Sequence, residues 1–287
     1  MPPIQSAGAK NKTDVVPQIE RFKGEVSRVI GAGLRDTLVI ITSCVTLALL
    51  ALVLVSTGNE EVLQAAGVLL APTVALALGL FGMNLFGRDG FVKDDRFVTM
   101  NVWLSLGLVV LTLSEVAGIA MAIVGSPEQV CFTVGLVQMP GLLLWGLGII
   151  SYLRSVNLSL DLIEGERLWP ILVFVIVMGS LVVVAAVIVS SPDRSPLTVL
   201  VSAPTMIWLG IILSIIAGLT WTFRGGLLVR PLVLLLIAFL IGFGRSMLWV
   251  ASDFCEGGGL DDVLALESYL LVGAALIEAA KLETISK

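Results

Sequence analysis

The chain of 287 residues contains no histidine. This absence excludes sites that depend on imidazole: bis-histidine haem ligation, zinc hydrolysis by an H-E-x-x-H motif and catalysis by a serine–histidine pair. The P-loop and the G-x-G-x-x-G signature of nucleotide-binding proteins are missing as well. There is also no nucleic-acid-binding signature, so we expect no nucleic-acid partner.

Charge is scarce too. Only 14% of the residues are charged, against about 25% in a soluble domain, while 57% are hydrophobic and the mean hydropathy is +1.03. Eight stretches are apolar and long enough for the ~20 residues that a bilayer-spanning helix needs. We therefore predict an all-α, polytopic membrane bundle in which a 1–36 segment precedes a transmembrane domain over 37–280 and a short tail covers 281–287. The predicted spans are 37–56, 62–86, 97–124, 131–152, 169–189, 197–223, 231–252 and 263–280.

Basic residues are almost absent from one set of loops. The chain has 17 lysines and arginines. The loops after the odd-numbered spans contain one of them, Arg194, and span seven contains Arg245. The other basic residues lie in the two termini and in the loops after the even-numbered spans. Because cytoplasmic loops carry the excess of lysine and arginine, this distribution predicts that both termini are cytoplasmic. We expect a multi-pass protein of the plasma membrane.

Residues 17–36 predict a short amphipathic helix before the first span. Apolar side chains recur at helical spacing, with charged side chains opposite, as in helices that lie on a membrane surface. The groove of a soluble partner would fit the same apolar stripe. The stripe consists of Ile19, Phe22, Val26, Val29, Ile30 and Leu34.

Polar groups inside the spans are the candidate site. Charges within a membrane are rare and costly, so each one is a functional hypothesis. At ~1.5 Å per helical residue, four groups on four spans fall roughly 6–13 Å below the outer surface: Glu115, Gln138, Arg245 and Glu267. An arginine at this depth needs a carboxylate partner, so we expect Arg245 to contact a glutamate. The second carboxylate would then bind a cation or hold a proton; alternatively, the group is only a structural pair.

The predicted outer loops are acidic, and such a field concentrates cations at an entrance. Their carboxylates are Glu60, Glu61, Glu128, Asp193, Asp253, Glu256, Asp261 and Asp262. Three prolines lie within spans, where broken helices can line a cavity: Pro72, Pro140 and Pro204. Small residues at four-residue spacing in span two (Ala71, Ala75 and Gly79) are typical of close helix packing.

The three cysteines fall into two groups. Cys44 lies within span one and fits a small apolar filler. Cys131 and Cys255 both fall on the outer side of the predicted topology, which is oxidising for most cells, so we predict a disulfide between them. The sequence offers no confident metal site.

Three functional classes remain open. The acidic loops, the polar groups and the in-span prolines favour a transporter or channel-like protein for a cation or a cationic small solute. A receptor-like sensory module, or a non-catalytic subunit of a larger membrane complex or homo-oligomer, fits the short loops. An enzyme would have to use Cys131 or Glu115, and no motif supports it. No lysine lies mid-span to form a retinal Schiff base, so no cofactor is evident.

Overall fold

A computed structural model describes residues 35, 38–90, 95–124, 127–160, 168–190, 196–251 and 259–286. Within these ranges the regular structure is helical. The helices are α1 (Leu38–Ser56), α2 (Glu60–Gly90), α3 (Arg96–Val124), α4 (Pro127–Leu160), α5 (Leu168–Ser190), α6 (Pro196–Thr222), α7 (Val229–Ala251) and α8 (Gly259–Ser286).

All eight helices are long and apolar enough to cross a membrane. The predicted all-α architecture with eight spans is confirmed, and it supports a multi-pass membrane protein. The predicted surface helix over 17–36 lies outside the described residues apart from Arg35, and it stays a prediction.

Several helices continue beyond their apolar spans. Helix α4 begins at Pro127, where the missing backbone N–H removes no helical hydrogen bond, and runs eight residues past the predicted end of span four. Helix α3 begins after Asp95, whose Oδ1 accepts a hydrogen bond of 2.9 Å from the backbone N–H of Phe97. Apolar length therefore measures the part of a helix that can lie in hydrocarbon, while caps and polar turns set its full length.

The chain divides into two compact units, Met1–Thr42 and the larger Ser43–Lys287. Within the larger unit, six helices form a ring. Neighbours in the ring are α2, α3, α4, α6, α7 and α8, and α8 returns to α2. Helix α5 packs outside the ring against α6.

Helix α8 is buried by protein to a much greater extent than helices α1 and α5. In α8, 78% of the apolar window is buried, whereas the value is 11% for both α1 and α5. Helices α1 and α5 therefore present the faces that suit lipid, and α8 supplies side chains to several neighbours at once.

The contact between α2 and α3 is close because small residues line it. Ala71 and Ala75 are almost fully buried, and a Cβ added to Gly79 would lie 3.0 Å from the carbonyl oxygen of Ser105 and 3.0 Å from the backbone nitrogen of Val109. The small-residue spacing of span two is thus confirmed as a packing surface. It fixes the position of α3, which carries one side chain of the candidate site.

Candidate functional site

A cavity lies inside the ring, in the half of the bundle where α3 and α7 end and α4 and α8 begin. Its volume is about 40 Å³, which is room for a few water molecules. Five helices contribute to its wall, and the wall combines aromatic rings with polar groups. The polar and aromatic residues of this wall are Gln138, Trp145, Thr205, Phe239, Arg245, Ser246, Trp249, Ser268 and Tyr269.

Arg245 of α7 forms a two-pronged salt bridge with Asp261 of α8. Its Nε and Nη2 atoms each donate a hydrogen bond of 2.7 Å to the carboxylate, and both side chains are only 12% exposed. Trp249, one turn further along α7, donates from its indole Nε1 to Asp261 Oδ1 at 2.7 Å. Its ring lies 4.9 Å from the guanidinium carbon. The pair is therefore held in one geometry by ring stacking as well as by charge.

Glu115 of α3 is held by a side chain of α8. The hydroxyl of Tyr269 on α8 donates a hydrogen bond to Glu115 Oε1, and the Tyr269 side chain is buried. The Glu115 carboxylate also lies within electrostatic reach of Arg245. Tyr269 lines the cavity while its hydroxyl reaches Glu115, so it connects this carboxylate to the cavity wall.

Asp262 adds a third carboxylate. It interacts electrostatically with Asp261, Glu115 and Arg245. Its Oδ2 atom is buried and has no hydrogen-bond partner among the described residues. Asp261 thus contacts the Arg245 guanidinium, and Glu115 and Asp262 lie within its electrostatic reach. We call Glu115, Asp261 and Asp262 the carboxylate cluster.

The charges of this cluster do not balance. Asp261 neutralises Arg245, so ionised Glu115 and Asp262 would leave two negative charges inside a membrane-spanning bundle, where uncompensated charge is unfavourable. Within the described part of the chain, no group of three or more acidic or cysteine side chains could hold a metal ion.

The chain matches no protein-family model, no curated protein and no solved structure.

The structure divides the four predicted site residues. Gln138 and Arg245 line the cavity, and Glu115 reaches it through Tyr269. Glu267 is not among the described residues of the wall. It follows Asp261 by six residues, about 120° around the helix at 3.6 residues per turn, and it faces the side of α8 where α1 packs. The partner of Arg245 also differs from our expectation: its salt bridge is to Asp261 and not to a glutamate.

Depth along a helix cannot give the direction in which a side chain points, and this explains why Glu267 is not among the described residues of the wall. The partner of Arg245 differs because the apolar run begins at Val263, which predicts Asp261 in an outer loop, yet α8 begins at Gly259. Tyr269 and Trp249 were missed because neither is charged. A usable signal existed: Tyr269 is one of only two tyrosines and lies eight residues after Asp261, which places both on neighbouring faces of one helix.

The predicted disulfide cannot be located. Cys255 and the side chain of Cys131 lie outside the described residues, so their pairing stays a prediction. Cys44 is a free, buried thiol, as its place in span one suggested.

Proposed function

We propose that the protein is a membrane transport protein that binds a small organic cation in the cavity between α3, α4, α6, α7 and α8. The observation that carries the proposal is the carboxylate cluster: Asp261 is salt-bridged to Arg245, and Glu115 and Asp262 lie within electrostatic reach of the same guanidinium, next to a cavity of about 40 Å³. The two uncompensated carboxylates supply the charge that would attract and hold a cation.

The state of Arg245 favours a cation over an anion. Two of its N–H donors are already directed at Asp261, and the neighbouring Glu115 and Asp262 would repel an anionic ligand. A cation in the cavity would instead be attracted by both carboxylates. Gln138, Thr205 and Ser268 could accept its N–H groups through their oxygen atoms.

The aromatic walls favour an organic cation over a metal ion. Trp145, Phe239, Trp249 and Tyr269 all line the cavity. Rings bind alkylammonium groups through their negative faces, whereas a metal ion would require several oxygen ligands converging on one point. A methylated amine or a similar small ammonium ion fits both the charge and the rings.

Two features support a carrier that changes conformation rather than an open channel. Aromatic side chains pack against each other at the cavity wall and further along α3 and α4: the ring centroids of Trp145 and Phe239 are 5.2 Å apart, and those of Phe97 and Tyr152 are 5.5 Å apart. In addition, α4 and α6, which line the cavity, each contain a proline, and prolines are tolerated at points where membrane helices bend.

The distribution of basic residues favours placing the cavity in the outer half of the bilayer, with both termini in the cytoplasm of a plasma-membrane protein. The acidic outer loops would then raise the local concentration of a cationic substrate. Accessibility labelling of a cysteine introduced at Gly90, on a background without native thiols, tests this orientation. Reaction from outside intact cells would refute it.

The experiment is a binding and uptake assay with defined cations. Methylammonium, tetramethylammonium, guanidinium, sodium and potassium are titrated against the purified protein. The readout is the intrinsic tryptophan fluorescence, to which Trp145 and Trp249 of the cavity wall contribute. Radiolabelled methylammonium uptake is then measured in proteoliposomes. We expect saturable binding of an ammonium ion, weakened at least tenfold by Glu115→Gln or Asp262→Asn and unchanged in Glu278→Gln, which lies outside the cavity.

Two outcomes would change the conclusion. Saturable binding without uptake would favour the receptor-like or subunit alternative, because the site would then recognise a cation without moving it. Failure of all five cations to bind, in a protein whose circular dichroism shows intact helices, would contradict the cation site itself.

A further inference from the structure

Glu267 is a buried carboxyl that the cavity does not use. Its residue is 5% exposed, and its Oε1 atom is buried without a hydrogen-bond partner among the described residues. It lies six residues after Asp261, or roughly 9 Å along the helix at 1.5 Å per residue, well inside the apolar span. A polar group in this environment needs either a partner or a neutral form.

The neighbouring helices offer no described cation to this carboxyl. Helix α1 places Cys44 within electrostatic reach of Glu267, and a thiol carries no positive charge to balance it. The apolar span of α2, Leu69–Gly87, contains no charged or titratable residue. On α8 itself, Asp261 is directed to Arg245 of α7, Asp262 interacts with the same cluster, and Tyr269 is directed to Glu115 of α3.

Glu278 on the same helix is a buried carboxyl that has an ionic partner. It follows Glu267 by eleven residues, about three turns at 3.6 residues per turn, and therefore lies on a similar side of α8. It is equally buried, at 3% exposure. However, its Oε1 accepts a hydrogen bond of 2.9 Å from Lys281 Nζ. Glu278 is thus a charged member of an ion pair, and Glu267 has no equivalent.

We propose that Glu267 is a proton-binding site between α8 and α1, separate from the Arg245 cavity. A carboxylic acid in its neutral form avoids the unfavourable free energy of an unpaired charge in hydrocarbon. Helix α1, whose span is only lightly buried by protein, lies on this side of α8 and places Cys44 within electrostatic reach of the carboxyl. This inference goes beyond the proposed function and does not depend on it.

A hydrophobic carbodiimide distinguishes the two glutamates chemically. Dicyclohexylcarbodiimide reacts with a carboxylic acid in an apolar environment: the acid proton moves to a carbodiimide nitrogen, the carboxyl oxygen bonds to the central carbon, and an acyl shift to nitrogen gives a stable N-acylurea. The adduct keeps every atom of both reactants, so peptide mass spectrometry locates it. We expect labelling of Glu267 and not of Glu278 in the full-length protein in detergent, with a rate that falls as the pH is raised.

Infrared spectroscopy provides a second readout that does not depend on access of the reagent. The C=O stretching band of a protonated carboxyl in an apolar environment should be present in the wild-type protein at neutral pH. It should lose intensity in Glu267→Gln and keep it in Glu278→Gln. Because glutamine resembles a neutral glutamic acid, Glu267→Gln should also retain the thermal stability of the wild type.

Three results would overturn the proposal. The first is an unchanged protonated-carboxyl band in Glu267→Gln, and the second is equal labelling of Glu267 and Glu278. The third is strong destabilisation by Glu267→Gln, which would mean that the native carboxyl is ionised and paired. Ammonium binding in the cavity should be unaffected by Glu267→Gln, so failure of this inference is distinguishable from failure of the cation site.

Discussion

Replacing Arg245 with methionine removes the only cation that we place within the carboxylate cluster. The Arg245 and Asp261 side chains are each 12% exposed and joined by two hydrogen bonds of 2.7 Å. Breaking a buried pair by removing one partner costs about 3–5 kcal/mol, and here the loss leaves Asp261, Glu115 and Asp262 without a balancing charge. We expect Arg245→Met to lower the free energy of unfolding by about this amount.

Replacing the carboxylate of the pair, in Asp261→Asn, should lower the free energy of unfolding less than Arg245→Met does. In Asp261→Asn, the amide oxygen can still accept one hydrogen bond from the guanidinium or from Trp249, and Glu115 stays within electrostatic reach of Arg245. A lost hydrogen bond to a charged group is worth about 1.5–3 kcal/mol. We expect a destabilisation in this range.

The double variant provides the decisive comparison. In the Arg245→Met background, Asp261→Asn removes a stranded carboxylate, so it should stabilise the protein instead of destabilising it. The resulting interaction energy should be at least about 2 kcal/mol, within the span seen for directly contacting residues. Acidification should relieve the defect of Arg245→Met, because protonation removes the uncompensated negative charge. It should not relieve that of Asp261→Asn, because arginine stays charged.

Reversible unfolding by sodium dodecyl sulfate in mixed micelles, followed by circular dichroism, measures these energies. The matched control is the Glu278→Gln and Lys281→Met pair, which joins a buried carboxyl to a side chain that is 41% exposed. Such a partly solvated pair should show an interaction energy below about 1 kcal/mol. If Asp261→Asn destabilised the wild type and Arg245→Met equally, the salt bridge would contribute nothing and the assignment of the site would be wrong.

Two further changes test the close contact between α2 and α3 and the hydrogen bond between Tyr269 and Glu115. Gly79→Ala should lower the free energy of unfolding by about 1–3 kcal/mol, because the new Cβ would meet the backbone of α3. The control Gly179→Ala should be neutral in the same assay, because a Cβ at Gly179 would have nothing within 4 Å. Equal effects of the two changes would contradict the close α2–α3 contact. Tyr269→Phe should cost about 1–3 kcal/mol through the lost hydrogen bond to Glu115. The control Tyr152→Phe should be near neutral because Tyr152 packs through its ring against Phe97 and Phe223, and a neutral Tyr269→Phe would refute the role of the hydroxyl.

The eight spans were predictable because a bilayer imposes one simple requirement. Each helix must present about 20 apolar residues, and this requirement leaves a signal in composition alone. Helix α5 illustrates it, since nearly every side chain of its span is apolar and little of it is buried by protein. The order of helices in the ring left no such signal, because lipid and protein interior are both apolar and an apolar residue suits either.

The sequence does not give the direction of the candidate side chains. Gln138 and Arg245, which were grouped by their estimated depth, both line the cavity, whereas Glu267 is not among the described residues of its wall. The partner of Arg245 could not be read in this way, because an acidic residue beside the first apolar turn of a helix looks like part of a loop. Asp261 belongs to the first turn of α8, where its carboxylate can turn inward to α7 instead of outward to water.

Helix α8 shows why the placement of acidic residues around one helix matters more than their number. Asp261 is directed to Arg245 on α7, Tyr269 to Glu115 on α3, and Glu267 to the side where α1 packs. The first two connect to the cavity and share its charge, so a ligand that enters there acts on both. Glu267 lies outside that set and has no counter-charge among the described residues, so only its protonated form avoids an unpaired buried charge. One helix therefore carries carboxylates in two separate surroundings, Asp261 beside the Arg245 cavity and Glu267 on the side of α1.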